Sequence, residues 1–271
     1  MTDNRSPLTI PDLLQMKARG ERIVTLTCYD ALFARLLDAS GVDILLVGDS
    51  VNQVLAAAET TLSATLEQML YHTRLVRRGS ERALVICDMP FLTYQVSKEE
   101  AIRNCGRVLA ETGCHGVKLE GGRPVVETVR ALADVGIPVM GHLGLTPQSV
   151  HAIGGYRVQG RDARGAERLL DDAKALADAG AFAVVLELIP APLASQITKA
   201  LPIPTIGIGA GPACDGQVLV LHDMLGLNEG FNPKFLKRYA ALAEDVREAV
   251  KLFAAEVREG RYPGPEHSVA K

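Results

Sequence analysis

Six short apolar runs in this 271-residue chain each end on titratable side chains. ILLVGDS (44–50) delivers Asp49, ALVICDMP (83–90) delivers Asp88, and GVKLEGG (116–122) delivers Lys118 and Glu120. PVMGHLG (138–144) delivers His142, AVVLELIP (183–190) Glu187, and VLVLHDMLG (218–226) His222 and Asp223. Two carboxylates such as Asp49 and Asp88, brought to ~4 Å, repel by about 4 kcal/mol at an effective dielectric of 20. They must share a proton or a cation. A pair of hard oxygens suits Mg²⁺, which keeps several waters and completes its shell with substrate oxygens. Zinc is disfavoured, because no His/Cys cluster has ligand spacing. Lys118 and Glu120 are two apart on one run and so share a face; they are either functional groups at a strand end or a mutual ion pair. Glu187 lies among Leu186, Leu188 and Ile189, surroundings that penalise its charged form and suit a general base near neutrality. The alternative is a structural glutamate bonded to backbone or to Lys118. His142 reads equally as a ligand contact or a core hydrogen-bonder. His222 and Asp223 read as loop packing and His72 as structural.

A fully buried parallel strand is a continuous Val/Ile/Leu run. The strand-like segments are 23–28, 44–48, 83–87, 116–119, 138–141, 182–187, 204–208 and 218–222. Helical spacing separates them at 30–40, 65–78, 98–112, 124–135, 163–179 and 191–200, with Asp30, Thr65 and Ser97 as N-caps and Gly113 as a stop. Eight alternating units predict a parallel (β/α)₈ TIM barrel, a single domain over 1–271 whose strand ends share one mouth. A first helix at 8–19 is expected to cap the barrel bottom, and a long amphipathic helix is expected at 233–258. The seventh unit is the weakest: about ten residues separate PTIGIG from VLVLHD, short of the usual crossover. GIGAG (207–211) therefore reads as a tight turn rather than a phosphate cradle, with no P-loop lysine after it.

Composition excludes other classes. A net charge of −3 with interspersed signs builds no field for nucleic acid or for an anionic membrane. No apolar stretch approaches the ~20 residues of a membrane span, and the polar start MTDNRSPLT is no signal peptide. The five cysteines, odd in number and without a CxxC, read as reduced thiols. A cytoplasmic location is expected.

The chain resembles the ketopantoate (3-methyl-2-oxobutanoate) hydroxymethyltransferase family nearly end to end. The matching blocks are TLTCYD (25–30), LLVGDS (45–50), YHTRLVRRG (71–79), DMPF (88–91), VKLEGG (117–122), GHLGLTPQSV (141–150) and GGYRVQGR (154–161). VLELIP (185–190), IGIGAG (206–211), DGQVLVLHDMLG (215–226) and YPGPEH (262–267) complete the set. GHLGLTPQSV followed by GGYRVQGR is highly specific. The resemblance implies Mg²⁺-dependent hydroxymethyl transfer from 5,10-methylenetetrahydrofolate to 3-methyl-2-oxobutanoate through a metal-stabilised enolate, giving ketopantoate for pantothenate and coenzyme A synthesis. It implies Asp49 and Asp88 as metal ligands with Glu120 in or near the shell. Asp49, Ser50, Asp88, Lys118 and His142 would lie at the oxo acid, and Glu187 would be the base. It also implies a homo-oligomer, commonly a decamer.

One stretch departs from the resemblance. After Ser50 this chain reads VNQVLAAAETTLSATLEQ (51–68), with Asn52 and Gln53 where Gly-Met is usual and Ser63 at the usual proline. Two rival readings stand beside the family. One is a Mg²⁺-dependent lyase like phosphoenolpyruvate mutase or isocitrate lyase; Cys105 and Cys114, in or beside a predicted helix, do not supply the reactive loop cysteine of such enzymes. The other is a non-catalytic barrel that only binds, against which Asp49, Asp88, Lys118, Glu120 and Glu187 are all retained.

Overall fold

A computed structural model describes residues 6–269. By its internal contacts the chain forms two compact units, 1–220 and 221–271. The first is a closed parallel barrel of eight strands in sequential order. These are β1 (Ile23–Thr27), β2 (Ile44–Val47), β3 (Leu84–Asp88), β4 (Gly116–Glu120), β5 (Val139–Gly144), β6 (Ala183–Glu187), β7 (Thr205–Ile208) and β8 (Gly216–Leu219). The helices of this unit are α1 (Ile10–Arg19), α2 (Ala31–Ala39), α3 (Val51–Val54), α4 (Leu66–Gly79), α5 (Lys98–Thr112), α6 (Arg123–Asp134), α7 (Val150–Ile153), α8 (Ala163–Asp178) and α9 (Ala191–Ala200).

Local chemistry sets the helix ends where the sequence places them. The Asp30 carboxylate accepts from the backbone N–H groups of Leu32 and Phe33, Ser97 caps α5 through Glu100 N, and Thr65 and Gln68 form a reciprocal box at α4. Each satisfies backbone donors that a helix start otherwise leaves orphaned. Helix α1 plugs the barrel as expected. Leu13 and Met16 join one apolar cluster with Ile23, Ile44, Leu84, Ile86, Met140 and Ile206 from the strands, each such burial contributing roughly 1.5–3 kcal/mol.

The rows that make this cluster continue into the mouth. Side chains two apart on a strand share a face, so Leu84 and Ile86 lead to Asp88, and Ala183 and Val185 lead to Glu187. Met140 leads to His142 in the same way. The lower layers are apolar and the last layer is charged.

The seventh unit closes with a turn in place of a full helix, as its short spacing implies: β7 and β8 are joined by residues 209–215, and Asp215 anchors them by accepting from Thr205 N (2.9 Å) and Lys17 Nζ (2.7 Å). Two expectations are corrected. The eighth strand runs over Gly216–Leu219 rather than 218–222, because its register with β1 pairs Gly216 with Ile23. That places His222 in a short helix, α10 (Leu221–Met224). In the second unit the tail helix, α11, spans Leu242–Arg258 instead of 233–258. Residues 228–241 are held in another path, with the Arg238 guanidinium donating to the carbonyls of Asn228, Glu229 and Phe231 and Tyr239 N donating to Met224 O. Asp223 is bonded by Asn228 Nδ2 at 3.0 Å. Among the described residues no helix is long and apolar enough to cross a membrane.

Candidate metal and oxo-acid site

Strand register brings the charged groups together. Neighbouring strands lie about 4.8 Å apart, so residues in register put their side chains side by side. Asp88 pairs with Lys118 across β3 and β4, and Glu120 pairs with His142 across β4 and β5. Lys118 Nζ lies 2.7 Å from Asp88 Oδ1 and 3.9 Å from Glu120 Oε1. Its closest partner is thus Asp88, not the Glu120 two residues along its own strand.

His142 stands between two acids, with Nδ1 3.6 Å from Glu120 Oε1 and Nε2 3.2 Å from Glu187 Oε2. These are charge contacts rather than aligned hydrogen bonds, since neither ring nitrogen has a hydrogen-bond partner. Glu187, with its side chain 16% exposed, faces this imidazole and not the apolar pocket its flanking leucines suggested, nor Lys118.

Asp49, Asp88 and Glu120 are buried and offer carboxylate oxygens that all lie within 4.8 Å of one another. Burial, reinforced by the charges of Asp88 and Glu120, holds the Asp49 carboxyl well above the usual carboxylate range. Burial also raises Asp88, with Lys118 opposing. For Glu120 burial pushes upward, but the His142 contact and the Lys118 charge prevail and hold it low. Burial and Lys118 pull His142 down, yet Glu120 and Glu187 outweigh them and raise it to about 9. Lys118 is raised above the ordinary lysine value, its three carboxylate neighbours overcoming the cost of burial.

Burial first, and then the like charges of Asp88 and Glu120, are why Asp49 resists ionising. An all-oxygen donor set of this kind fits a hard divalent cation such as Mg²⁺ and lacks the His and Cys ligands typical of zinc.

Ser50 follows Asp49 and shares a hydrogen bond with the buried Tyr29 hydroxyl at 2.9 Å; Tyr29 is itself fastened by His72 Nδ1 at its carbonyl, 2.8 Å. His72 is therefore structural. The departing stretch after Ser50 is internally paired. Buried Asn52 donates to Ser63 Oγ (2.6 Å) and Thr60 O, and Gln53 donates to Glu59 O and Tyr156 Oη. The residues that break the resemblance compensate one another.

Strand-end reasoning missed Gln148. It lies on the turn Pro147–Ser149, beyond the end of β5, and is 5% exposed. Its amide donates to Asp49 Oδ2 (3.0 Å) and Met89 O (2.9 Å), and its backbone N–H donates to Glu120 Oε2 (3.0 Å). The only signal was its place in GHLGLTPQSV. Tyr94, fully buried, was missed as well; its hydroxyl accepts from Glu120 N at 3.0 Å and lies 2.8 Å from Gln148 Oε1.

A model of the family described as ketopantoate hydroxymethyltransferase matches residues 7–265. The chain is 56% identical over 268 residues to the 3-methyl-2-oxobutanoate hydroxymethyltransferase of Pelobacter propionicus, covering 99% of each. It is 54% identical to the protein of the same name from Moorella thermoacetica, covering 97% of this chain and 98% of that one. Among solved structures, phosphonopyruvate hydrolase in complex with oxalate and Mg²⁺ superposes with a TM-score of 0.63 at 12% identity, covering 96% and 93%. A 2,3-dimethylmalate lyase, described as a member of the PEP mutase/isocitrate lyase superfamily, gives 0.59 at 17%, again covering 96% and 93%. At such identities the likeness is one of fold. All five cysteines here are buried, in keeping with the argument against the lyase reading.

Proposed function

The chain belongs to the ketopantoate hydroxymethyltransferase family and is a transferase, and we propose on that footing that it moves a hydroxymethyl group from 5,10-methylenetetrahydrofolate to 3-methyl-2-oxobutanoate, giving ketopantoate. The observation that carries the reading is the clustering of Asp49, Asp88 and Glu120 within 4.8 Å at the ends of β2, β3 and β4, with Lys118, His142 and Glu187 completing the ring. The oxo acid has two adjacent oxygen functions and one C3–H; forming the new bond requires that proton to leave while charge on the 2-oxygen is stabilised.

Asp49 and Asp88 would hold Mg²⁺, with Glu120 in or next to the shell. The ion would supply Lewis acidity toward the oxo acid's oxygens. Lys118, its ammonium 2.7 Å from Asp88, adds fixed positive charge where the 2-oxygen becomes negative. Ser50, oriented by Tyr29, would donate to the substrate. Glu187 would take the C3 proton. His142, cationic at neutral pH because its titration lies at about 9, faces the Glu187 carboxylate with complementary charge and limits its rotamers. The C3 carbon then attacks the methylene carbon of the folate donor, forming the C–C bond as one C–N bond breaks; water next adds to that carbon, forming the C–O bond of the hydroxymethyl group as the second C–N bond breaks and tetrahydrofolate leaves.

The test is a coupled assay with 3-methyl-2-oxobutanoate, methylenetetrahydrofolate and Mg²⁺, followed by product identification. Ketopantoate formation that stops on chelation and returns with Mg²⁺ is expected; cleavage of the oxo acid with no one-carbon transfer would overturn the reading. We extend the proposal to a cytoplasmic homo-oligomer, a decamer by family analogy. The exposed Val246, Val250, Phe253 and Val257 of α11 support self-association, and sedimentation velocity tests it.

A further inference from the structure

Gln148 is a neutral side chain that reaches into the carboxylate cluster, and every hydrogen-bonding position of its amide is used. A primary amide has two N–H donors and a carbonyl with two lone pairs. Here Nε2 donates to Asp49 Oδ2 (3.0 Å) and to Met89 O (2.9 Å). Oε1 accepts from Tyr94 Oη (2.8 Å) and from Gln95 Nε2 (3.1 Å). The orientation is determined by its surroundings. Met89 O can only accept and Gln95 Nε2 can only donate, so turning the amide over would oppose two carbonyl oxygens on one side and two NH₂ groups on the other.

The same residue acts through its backbone. Gln148 N donates to Glu120 Oε2 at 3.0 Å, while Glu120 Oε1 faces Lys118 and His142. One oxygen of Asp49 and one of Glu120 are therefore held by a single turn, which Pro147 at its start helps to stiffen. Tyr94 links that turn to β4, its hydroxyl accepting from Glu120 N at 3.0 Å. The carboxylates come from different strands; Lys118 Nζ and Asp49 N hold the two oxygens of Asp88, while the turn holds one oxygen each of Asp49 and Glu120.

We propose that Gln148 is the positioning residue of the metal site, presetting the planes of Asp49 and Glu120 for a divalent cation. This rests on reading Asp49, Asp88 and Glu120 as the ligands. Groups that orient metal ligands from behind commonly carry 10–100-fold of metal affinity.

The experiment is Mn²⁺ binding to the metal-stripped full-length protein, followed by electron paramagnetic resonance beside thermal unfolding. Gln148→Met keeps the length and volume of the side chain and the backbone bond to Glu120, but removes both amide donors. Its Mn²⁺ dissociation constant is expected to rise by about 10–100-fold, with an altered spectrum of the bound ion. Tyr94→Phe releases the amide oxygen and is expected to raise the constant by a smaller factor. A Gln148→Met protein that binds Mn²⁺ as the wild type does, whatever its melting temperature, overturns the proposal. If that variant does not fold, Tyr94→Phe decides, unchanged affinity again overturning it. A wild-type protein that binds no Mn²⁺ refutes the ligand reading instead, and the proposal falls with it.

Discussion

Lys118 is the only ammonium within contact of the three carboxylates among the described residues, and its removal should destabilise the metal-free protein in a way a divalent cation repairs. At an effective dielectric of 20, its separations of 2.7 Å from Asp88 and 3.9 Å from Glu120 correspond to attractions of about 6 and about 4 kcal/mol. Three carboxylates within 4.8 Å repel by at least about 3.5 kcal/mol per pair on the same scale. Attraction and repulsion nearly cancel in the wild type. In Lys118→Met only the His142 charge, 3.6 Å from Glu120, still opposes the repulsion, and the carboxylates escape the rest by taking up protons, which limits the loss to about 3–5 kcal/mol. For 271 residues this corresponds to a fall in melting temperature of about 5–10 °C. Scanning calorimetry of chelator-treated protein at neutral pH measures it. Added Mg²⁺ should stabilise the variant more than the wild type, because the ion binds only the folded cluster and now replaces the missing charge. Metal-free proteins melting within a degree of each other, or a smaller Mg²⁺ effect on the variant, would refute the charge-balance argument.

Glu187→Gln should slow C3–H exchange of 3-methyl-2-oxobutanoate in D₂O by about 10²–10⁴-fold with the fold intact; undiminished exchange by NMR removes Glu187 as the base. Gly144→Ala should cost more than about 3 kcal/mol in urea unfolding. Gly144 has φ +95°, and a Cβ there would collide with the Glu187 carbonyl, which Leu145 N holds at 2.8 Å. On the far side of the barrel, burial and then the Arg77 charge hold His115 below the ordinary histidine value, and its Nδ1 accepts from Val85 N at 2.9 Å. A depressed histidine contributes stability that is complete above the unfolded value near 6.5 and is lost as pH falls through it. Melting temperature from pH 7.5 to 5 should therefore drop less for His115→Gln than for the wild type, and parallel curves would contradict the assignment.

The barrel was legible because burial on both faces forces continuous apolar runs, and because caps such as Asp30, Thr65 and Ser97 act within four residues of themselves. Asp49, Asp88, Lys118, Glu120, His142 and Glu187 were legible for the same reason: a charge at the end of a buried run must face the mouth. The tail helix was misjudged by nine residues because Arg238 bonds to three backbone carbonyls and redirects a segment whose apolar spacing alone reads as helical. Pairing was not legible either. Lys118 could have bonded Glu120 on its own strand or Glu187 across the barrel; register chose Asp88 for it, while Glu187, in register with Gly144, reaches His142 diagonally.

Gln148 and Tyr94 carry no charge and lie several residues past the ends of β5 and β3, so neither charge nor strand periodicity marks them. Only the closing of the barrel brings their loops over the carboxylates. Local periodicity and capping thus determined which groups reach the mouth. Register and loop packing, which depend on contacts as far apart in sequence as the pairing of Ile23 with Gly216, decided which of them touch and in what charge state.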